Sequence, residues 1–209
     1  MPPFETRGTL LKNLLLTVVF LTKKNTQKAQ KGVKWYDSFD SWTGPFVMAA
    51  VNSKVVRRSN ALASLIYGAD FAYDEAMLTT NRRSALLLAG GMGAGMLAFA
   101  IGPLRRLIAK KLPQPGEGPS PSERENGFFE FFVHAKHPDS TKKDVRVAVK
   151  GKRDPGYGAT SRMIAQAGLC LAFDDLEVEG GIWTPATALG AHLVDRLATV
   201  DVVFEEQAF

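Results

Sequence analysis

The sequence predicts an α+β fold in which an antiparallel or mixed sheet packs against helices, with one glycine-rich apolar helix in addition. Three observations favour this class. Segments with the two-residue alternation of strands occur in both halves of the chain, and a helix-start signal occurs near the C-terminus. The content of 45% hydrophobic and 22% charged residues is that of an ordinary folded protein. At 209 residues the chain is long enough for one large domain or two small ones.

The N-terminal part of the fold is assigned to residues 1–81. The apolar run Leu14–Leu21 is too short to span a bilayer as a helix, and we expect a buried or interfacial helix there rather than a targeting segment. Pro45 is predicted to open a second helix at its first turn. Aromatic and small or acidic residues alternate over 71–74, which predicts a strand.

An apolar helix that is a candidate for membrane association is assigned to residues 82–112, because the stretch Ser84–Leu104 carries no charge. As a helix it extends about 30 Å, which is the thickness of the bilayer hydrocarbon region. Basic residues flank both ends, as expected for side chains that reach lipid headgroups. A glycine-rich helix buried against the rest of the protein is the alternative, and the sequence leaves both open.

The same stretch contains Gly93–Ala98, which fits the loose G-x-G-x-x-G/A pattern of a dinucleotide-binding turn. Such a turn joins a strand to a helix, and a second strand ends in an acidic residue about 20 residues later. Here that position falls beside Glu117 in a proline-rich segment with no strand before it. We therefore expect the Rossmann domain to be absent, and no cofactor to be bound by this chain alone.

The remaining sequence is divided into a linker at 113–126 and a C-terminal α+β part at 127–209. The linker is rich in proline and glycine and is expected to be exposed. In the C-terminal part the aromatic segment 127–137 and the alternating segment 143–152 are predicted to form an antiparallel pair of strands. A strand at Val202–Phe204 is expected to close the chain.

The basic residues occur in clusters, although the formal net charge is only +5. Anionic lipid headgroups explain these clusters at least as well as nucleic acid does. No zinc knuckle or helix-turn-helix pattern is present, so no nucleic-acid partner is expected. The clusters are Lys23, Lys24, Lys28, Lys31 and Lys34; Arg57 and Arg58; Arg82 and Arg83; and Arg105, Arg106, Lys110 and Lys111.

Cysteine and histidine usage excludes a disulfide scaffold and gives little support to a metal site. Cys170 is the single cysteine and lies in an apolar run, so we expect a buried inert thiol and a reducing compartment. His134 and His137 lie three positions apart near the end of a strand, which directs their side chains to opposite faces. No metal site is therefore predicted.

Three separated stretches carry a resemblance to a known family. These are residues 44–62 (GPFVMAAVNSKVVRRSNAL), 150–175 (KGKRDPGYGATSRMIAQAGLCLAFDD) and 180–204 (GGIWTPATALGAHLVDRLATVDVVF). Together they resemble the C-terminal half of the saccharopine dehydrogenase-like oxidoreductases, a family that includes the bacterial trans-acting enoyl reductases of lipid synthesis. The resemblance runs from about Arg7 to the C-terminus.

The resemblance implies oxidoreductase ancestry, a lipid or lipid-like substrate, and NAD(P) as the cofactor of the full-length family. Residues 1–81 and 127–209 would then form one substrate and assembly domain. Family members begin with a Rossmann domain, and this chain has no counterpart, since it begins near the second half, at Gly8 and Thr9. A fragment, a truncated gene model or a naturally split protein is therefore expected, which is inactive alone and depends on its missing Rossmann half or a partner chain. A homo-oligomer is also compatible with the sequence.

Candidate substrate-binding residues fall into two groups. In the first, a tight turn precedes a helix whose free N–H groups could meet an anion or a polar substrate group, and a turn that merely caps the helix is the alternative. This group is Asp154, Gly156 and Tyr157. Tyr157 is also the catalytic candidate, as a proton donor, and a role in packing is the alternative.

The second group combines guanidinium groups with an apolar wall and a helix cap. Arg57 and Arg58 could bind a phosphate or carboxylate, with an internal salt bridge to Asp70 or Asp74 as the alternative. Trp183 could line an apolar pocket or pack in the core. Thr184 is predicted to cap a helix that opens at the following proline.

The location expected from these features is an intracellular membrane, such as a lipid droplet or mitochondrion, and otherwise the cytoplasm. A substrate and assembly domain of a lipid-linked, NAD(P)-dependent oxidoreductase is the leading functional hypothesis. A non-enzymatic binding module associated with a membrane or lipid droplet is the alternative.

Overall fold

A computed structural model describes residues 14–22, 30–114, 116–137, 139 and 143–207. Three members of the first basic cluster, Lys23, Lys24 and Lys28, lie outside the described residues. Within them the fold is α+β, as predicted, with one mixed sheet and packed helices. A Rossmann domain is not evident in this part of the chain.

Seven strands form a single sheet in the order β2-β3-β4-β1-β5-β6-β7. They are β1 (Leu14–Thr22), β2 (Lys34–Tyr36), β3 (Ser41–Pro45), β4 (Phe71–Thr79), β5 (Phe128–Ala135), β6 (Val145–Lys152) and β7 (Val202–Glu206). The helices are α1 (Ala49–Leu62), α2 (Arg82–Ala100), α3 (Gly102–Ala109), α4 (Pro121–Asn126), α5 (Gly158–Phe173), α6 (Pro185–Ala188) and α7 (Gly190–Ala198), with a 3-10 turn at Asp37–Phe39.

Leu14–Leu21 belongs to the central strand of this sheet, so the helix predicted there is wrong. β1 pairs antiparallel with β4 on one side and parallel with β5 on the other. A strand between two others reads as a continuous apolar run, and a short run of this kind cannot be distinguished from a buried helix by periodicity. The strand brings the two halves of the chain into one sheet.

The helix predicted to open at Pro45 begins four residues later, at Ala49. Pro45 is instead the last residue of β3, where it pairs with Ala76 of β4. β2 pairs with β3 only as far as Thr43, so the missing N–H of Pro45 costs the sheet no hydrogen bond on that side. The predicted strand at 71–74, the antiparallel pair β5–β6 and the strand at Val202–Phe204 are confirmed.

The helices α1, α2, α5 and α7 lie on one face of the sheet. Gly44 pairs with Met77, so the two residues share the face of Glu75, to which Asn52 of α1 donates a hydrogen bond of 2.9 Å. Gly44 also lets α2 approach, because a Cβ there would lie 2.7 Å from the side chain of Leu88. The same face carries a core in which Phe129 packs with residues of α5, α7 and β7, namely Ala159, Leu197 and Val202.

The opposite face is covered in part by the segment before β2 and by the 3-10 turn. The backbone N–H of Gln30 donates to Asp74 at 3.2 Å, and the ring of Phe39 lies 6.0 Å from that of His134. Asp74 and His134 occupy one row across the sheet, since both pair with Val19 of β1. His134 is buried and bonded to Asp144, whereas His137 is exposed, and the described residues contain no cluster able to hold a metal ion.

The glycine-rich stretch lies inside α2, so the dinucleotide-turn interpretation of Gly93–Ala98 is wrong in geometry as well as in context. The helix ends at Ala100, and a second helix, α3, begins at Gly102. Among the described side chains of α2 only Ala85 is buried, which does not fit the alternative of a buried core helix. The expected linker contains the short exposed helix α4, whose capping box joins Ser120 to Glu123.

Candidate functional site

The C-terminal half of α1 and the loop before α6 meet at the helical face, although they are far apart in the sequence. The hydroxyl oxygens of Ser59 and Thr184 lie 2.7 Å apart, and both residues are buried. Thr184 also forms a capping box with Thr187, so its predicted role as an N-cap is confirmed. Beside this contact the Arg58 guanidinium donates to the backbone carbonyl of Ile182 at 3.4 Å. The predicted site residue Arg58 is therefore in contact with the loop before α6, which carries further predicted site residues.

An apolar stripe on α1 leads to this junction. Val51 and Val55 are one helical turn apart and about half exposed, and Arg58 follows on the same face. Ile182 lies beside Arg58 and is 85% exposed. An acyl chain can lie along such a stripe while the guanidinium binds an anionic end group, since arginine binds carboxylate and phosphate through paired hydrogen bonds. We name this surface, comprising Val51, Val55, Arg58 and Ile182, the α1 stripe.

Trp183 lies next to the α1 stripe and is held by a hydrogen bond from its indole N–H to the carbonyl of Glu179 at 2.8 Å. Its side chain is partly exposed rather than enclosed in the core. Of the suggested salt-bridge partners of the arginines, Asp74 accepts hydrogen bonds from the backbone N–H groups of Gln30 and Glu75. Arg57 is exposed on α1 beside Arg58.

The turn before α5 is closed by its own carboxylate. Asp154 accepts hydrogen bonds from the backbone N–H groups of Gly156 at 2.8 Å, of Tyr157 at 3.2 Å and of Gly158 at 2.6 Å. Burial favours a higher pKa for Asp154, but these bonds outweigh it and lower the pKa. The sequence suggests the backbone N–H groups of this turn as a binding site for an external anion. In the structure they instead donate to the carboxylate of Asp154.

Tyr157 is more than half exposed, and its ring lies beside the linker, where a Cβ added at Gly118 would be 3.7 Å from it. It lines a shallow cavity of about 410 Å³ between α4 and the start of α5. The charged and polar lining residues are Arg124, Glu125, Arg153, Tyr157, Ser161 and Arg162. Arg153 pairs with Glu125 at 3.5 Å and Arg162 with Asp201 at 3.8 Å, so the positive charge of the cavity is largely balanced.

Sequence reasoning missed a buried polar cluster on β4. Tyr73 donates a hydrogen bond to Glu75, which also accepts from Asn52 of α1, and both Tyr73 and Glu75 are buried. Asp74 is buried on the other face. Burial raises the pKa of Glu75 and of Asp74, and it raises the pKa of Tyr73, to which the bond with Glu75 adds. The available signal was two acidic residues inside a strand that is otherwise apolar.

The chain is similar to several mycobacterial proteins. It is 36% identical over 170 residues to a candidate trans-acting enoyl reductase of Mycobacterium tuberculosis, a match that covers 77% of this chain and 40% of that protein. It is 37% identical over 172 residues to a trans-acting enoyl reductase of Mycobacterium bovis, covering 78% and 40%. For a trans-acting enoyl reductase of Mycobacterium ulcerans the identity is 34% over 173 residues, with coverage of 78% and 40%.

These matches confirm the part of the resemblance that concerns the trans-acting enoyl reductases. No protein-family model matches the chain, and no solved structure does. The chain spans about 40% of the length of the curated relatives that it matches. It therefore has homologues named trans-acting enoyl reductases over about three quarters of its own length.

Proposed function

We propose that this chain is the substrate-binding and assembly part of an enoyl-reductase-like oxidoreductase that acts on a lipid-like substrate. The names of its homologues support the reaction class. The α1 stripe supports the substrate class, because an exposed apolar strip that ends at a guanidinium matches an acyl chain with an anionic group. That stripe is the observation on which the proposal depends.

NAD(P), in this proposal, is held by a nucleotide-binding part that is separate from the described residues. Two glycine-containing segments among the described residues support this proposal, because their N–H groups are engaged within the protein. The N–H groups of Gly93 and Gly95 lie in the middle of a helix, and those of Gly156 and Gly158 bind Asp154. The chain would contribute binding and orientation of the acyl group, and the other part would contribute the hydride donor.

Binding of a long-chain trans-2-enoyl phosphopantetheine thioester, whose phosphate supplies the anionic group, tests the substrate class when it is measured by tryptophan fluorescence. Val55→Asp and Ile182→Asp place a charge on the α1 stripe, and each is expected to weaken binding at least tenfold. Ile164→Asp is the matched control, since the exposed fraction of Ile164 on α5, 71%, lies between those of Val55 and Ile182. Equal affinity in all three variants would contradict the proposed surface.

The proposal that this chain binds the acyl group while a separate part binds the nucleotide has its own test. NADPH oxidation with the same thioester is followed with the chain alone, and we expect none above the uncatalysed rate. Turnover by the chain alone would overturn the proposal that the nucleotide is held elsewhere.

A non-enzymatic membrane-binding module is the second candidate function. The observation that favours it is the exposed apolar surface of α2, which lies away from the α1 stripe in sequence. Thioester binding that survives both stripe substitutions, together with binding to vesicles, would favour this candidate.

A further inference from the structure

The segment 82–112 projects apolar side chains that the described part of the chain leaves uncovered. We name this segment, which contains α2 and α3, the α2–α3 arm. α3 has no buried residue, and an added Cβ at Gly90, Gly91, Gly93 or Gly95 would meet nothing within 4 Å. Large exposed apolar residues of the arm are Leu86, Leu87, Met96, Leu97, Phe99, Ile101, Leu104, Leu107 and Leu112.

The charge of the α2–α3 arm has one sign. Its 31 residues include six arginines and lysines and no acidic residue, so the arm carries +6 whereas the whole chain carries +5. All six basic residues are exposed, and they lie at the two ends of the apolar stretch. An interface with another protein is depleted of charged residues at its centre and has a polar rim. Apolar surface bordered only by cations instead complements anionic lipid headgroups.

α3 has the pattern of a helix that lies in a membrane surface. Leu104, Leu107 and Ile108 fall on one face of the helix by their spacing. Arg105 and Arg106 fall on the remaining surface and are exposed. Helices of this kind bury the apolar face at the level of the headgroups while the basic side chains bind lipid phosphates.

The topology of the sheet determines how α2 can enter a bilayer. α2 is the one helix among the described residues that is long and apolar enough to cross, and 6% of its apolar window is buried against the rest of the chain. The chain enters α2 from β4 and returns to β5, and both strands pair with β1 in the same sheet. A crossing by α2 would need a second crossing to return. Residues 101–127, which are described except for 115, contain no second helix of that length. Both ends of the arm therefore lie on one side.

We propose that the α2–α3 arm is a monotopic anchor that binds one leaflet of an anionic phospholipid bilayer. α3 lies in the headgroup layer with its arginines on the phosphates, and the far end of α2, around Met96–Phe99, dips into the acyl region. The sheet and the α1 stripe stay on the water side. This inference does not depend on the proposed function, since its readout is binding to lipid and not reduction.

Flotation of the full chain with vesicles tests the anchor. We expect binding to vesicles of phosphatidylcholine with 30% phosphatidylglycerol, at least tenfold weaker binding to pure phosphatidylcholine, and loss of binding as NaCl screens the charges. Met96→Asp with Leu97→Asp should reduce binding at least tenfold. The matched control, Ile164→Asp with Phe173→Asp, changes equally exposed residues of α5 and should leave binding unchanged. Circular dichroism checks that both variants fold.

Two other outcomes would overturn the proposal. If both double variants lose binding equally, adhesion is unspecific. If the wild-type chain does not float but forms a dimer that Met96→Asp with Leu97→Asp dissociates, the arm is an interface with a second copy.

Labelling of single cysteines tests the topology. Thr80→Cys and Gln114→Cys, each in a Cys170→Ala background, place a thiol before and after the arm at exposed positions. With the protein added to sealed anionic vesicles, an impermeant maleimide in the outer buffer should label both cysteines. Protection of the cysteine at 114 alone would show that α2 crosses the bilayer, which contradicts the monotopic arrangement.

Discussion

The hydroxyl oxygens of Ser59 and Thr184 lie 2.7 Å apart, although the two residues are 125 positions apart in the sequence. The contact is buried, and it fixes the loop that carries Ile182 and Trp183 against the end of α1. The same hydroxyl lies 3.0 Å from that of Thr187, with which Thr184 forms the capping box at the start of α6. One side chain thus connects the local start of a helix with the assembly of the α1 stripe.

Thr184→Val is therefore expected to destabilise the fold by about 1–2 kcal/mol, because it removes a helix cap and leaves the Ser59 hydroxyl with one partner fewer. Urea unfolding measures the change. Thr184→Ser keeps the oxygen and should retain most of the stability. Thioester binding should weaken in the valine variant and not in the serine variant, and equal binding in both would show that the loop is not positioned by this contact.

Asp154 gives a second prediction, because its carboxylate occupies the start of α5. Asp154→Ala should cost about 1 kcal/mol of stability, the usual cost of losing a cap. The folded-state pKa of Asp154 lies below its ordinary value of 3.8. Its contribution to stability is therefore complete above pH 3.8 and is lost as the pH falls through the lower folded pKa.

The same variant exposes the N–H groups of Gly156 and Gly158 to solvent. Sulfate should then raise the melting temperature of Asp154→Ala more than that of the wild-type chain, since anions bind at helix N-termini. An equal effect of sulfate on both proteins would contradict the description of this turn as closed by its own side chain.

The features predicted correctly from the sequence are those set by neighbouring residues. The cap at Thr184 depends on the proline that follows it, and the β5–β6 pair depends on aromatic and alternating segments close in sequence. The prediction of a helix at Leu14–Leu21 failed because pairing with β4 and β5 makes this segment a strand. The residues with which it pairs lie more than 50 positions away in the sequence. An apolar run carries no local sign that it will lie between two strands.

The candidate site also contains features that could be predicted from the sequence and features that could not. The residue types at Arg58 and Thr184 were found from the sequence, but their connection through Ile182 and Ser59 is a long-range contact that no spacing indicates. The burial of Glu75 was missed for a related reason. An acidic residue in a strand is normally assigned to the solvent face, and here its partners come from α1 and from its own strand.

Cys170 provides a prediction about chemical reactivity. Its side chain is fully buried near the ion pair in which Arg196 of α7 donates two hydrogen bonds to Asp174, and burial raises the pKa of the thiol. The native thiol should therefore not react with Ellman's reagent until the protein unfolds. Arg196→Lys keeps the charge but loses the two-point geometry, so the end of α5 should loosen and the reaction should become at least tenfold faster.

The control for this prediction is Arg162→Lys, which changes an arginine near the opposite end of α5 that pairs with Asp201 at 3.8 Å. Its thiol reactivity should equal that of the wild-type chain. Rapid reaction of Cys170 in the native wild-type protein would show that the thiol is accessible and would contradict the packing of α5 on α7.

Glu75 gives the prediction with the clearest dependence on pH. Burial raises its pKa above the ordinary value of 4.5, so the folded state holds the proton more tightly than the unfolded chain does. The free energy of unfolding should therefore fall as the pH rises from about 4.5 through the folded pKa, and level off above it. Asp74 contributes a fall of the same sign that begins at its own ordinary value of 3.8.

Glu75→Gln removes the ionisation while keeping an oxygen for the Tyr73 hydroxyl, and the Asn52 amide can turn to accept from the new NH₂ group. At pH 8 this variant should be at least as stable as the wild-type chain, and its stability should depend less on pH. Glu75→Ala removes the acceptor of the hydrogen bonds from Tyr73 and Asn52 and should cost about 1–3 kcal/mol at every pH. Urea unfolding from pH 4.5 to 8 separates the two effects. A glutamine variant with the full pH dependence of the wild-type chain would show that the carboxyl of Glu75 is not the group that titrates.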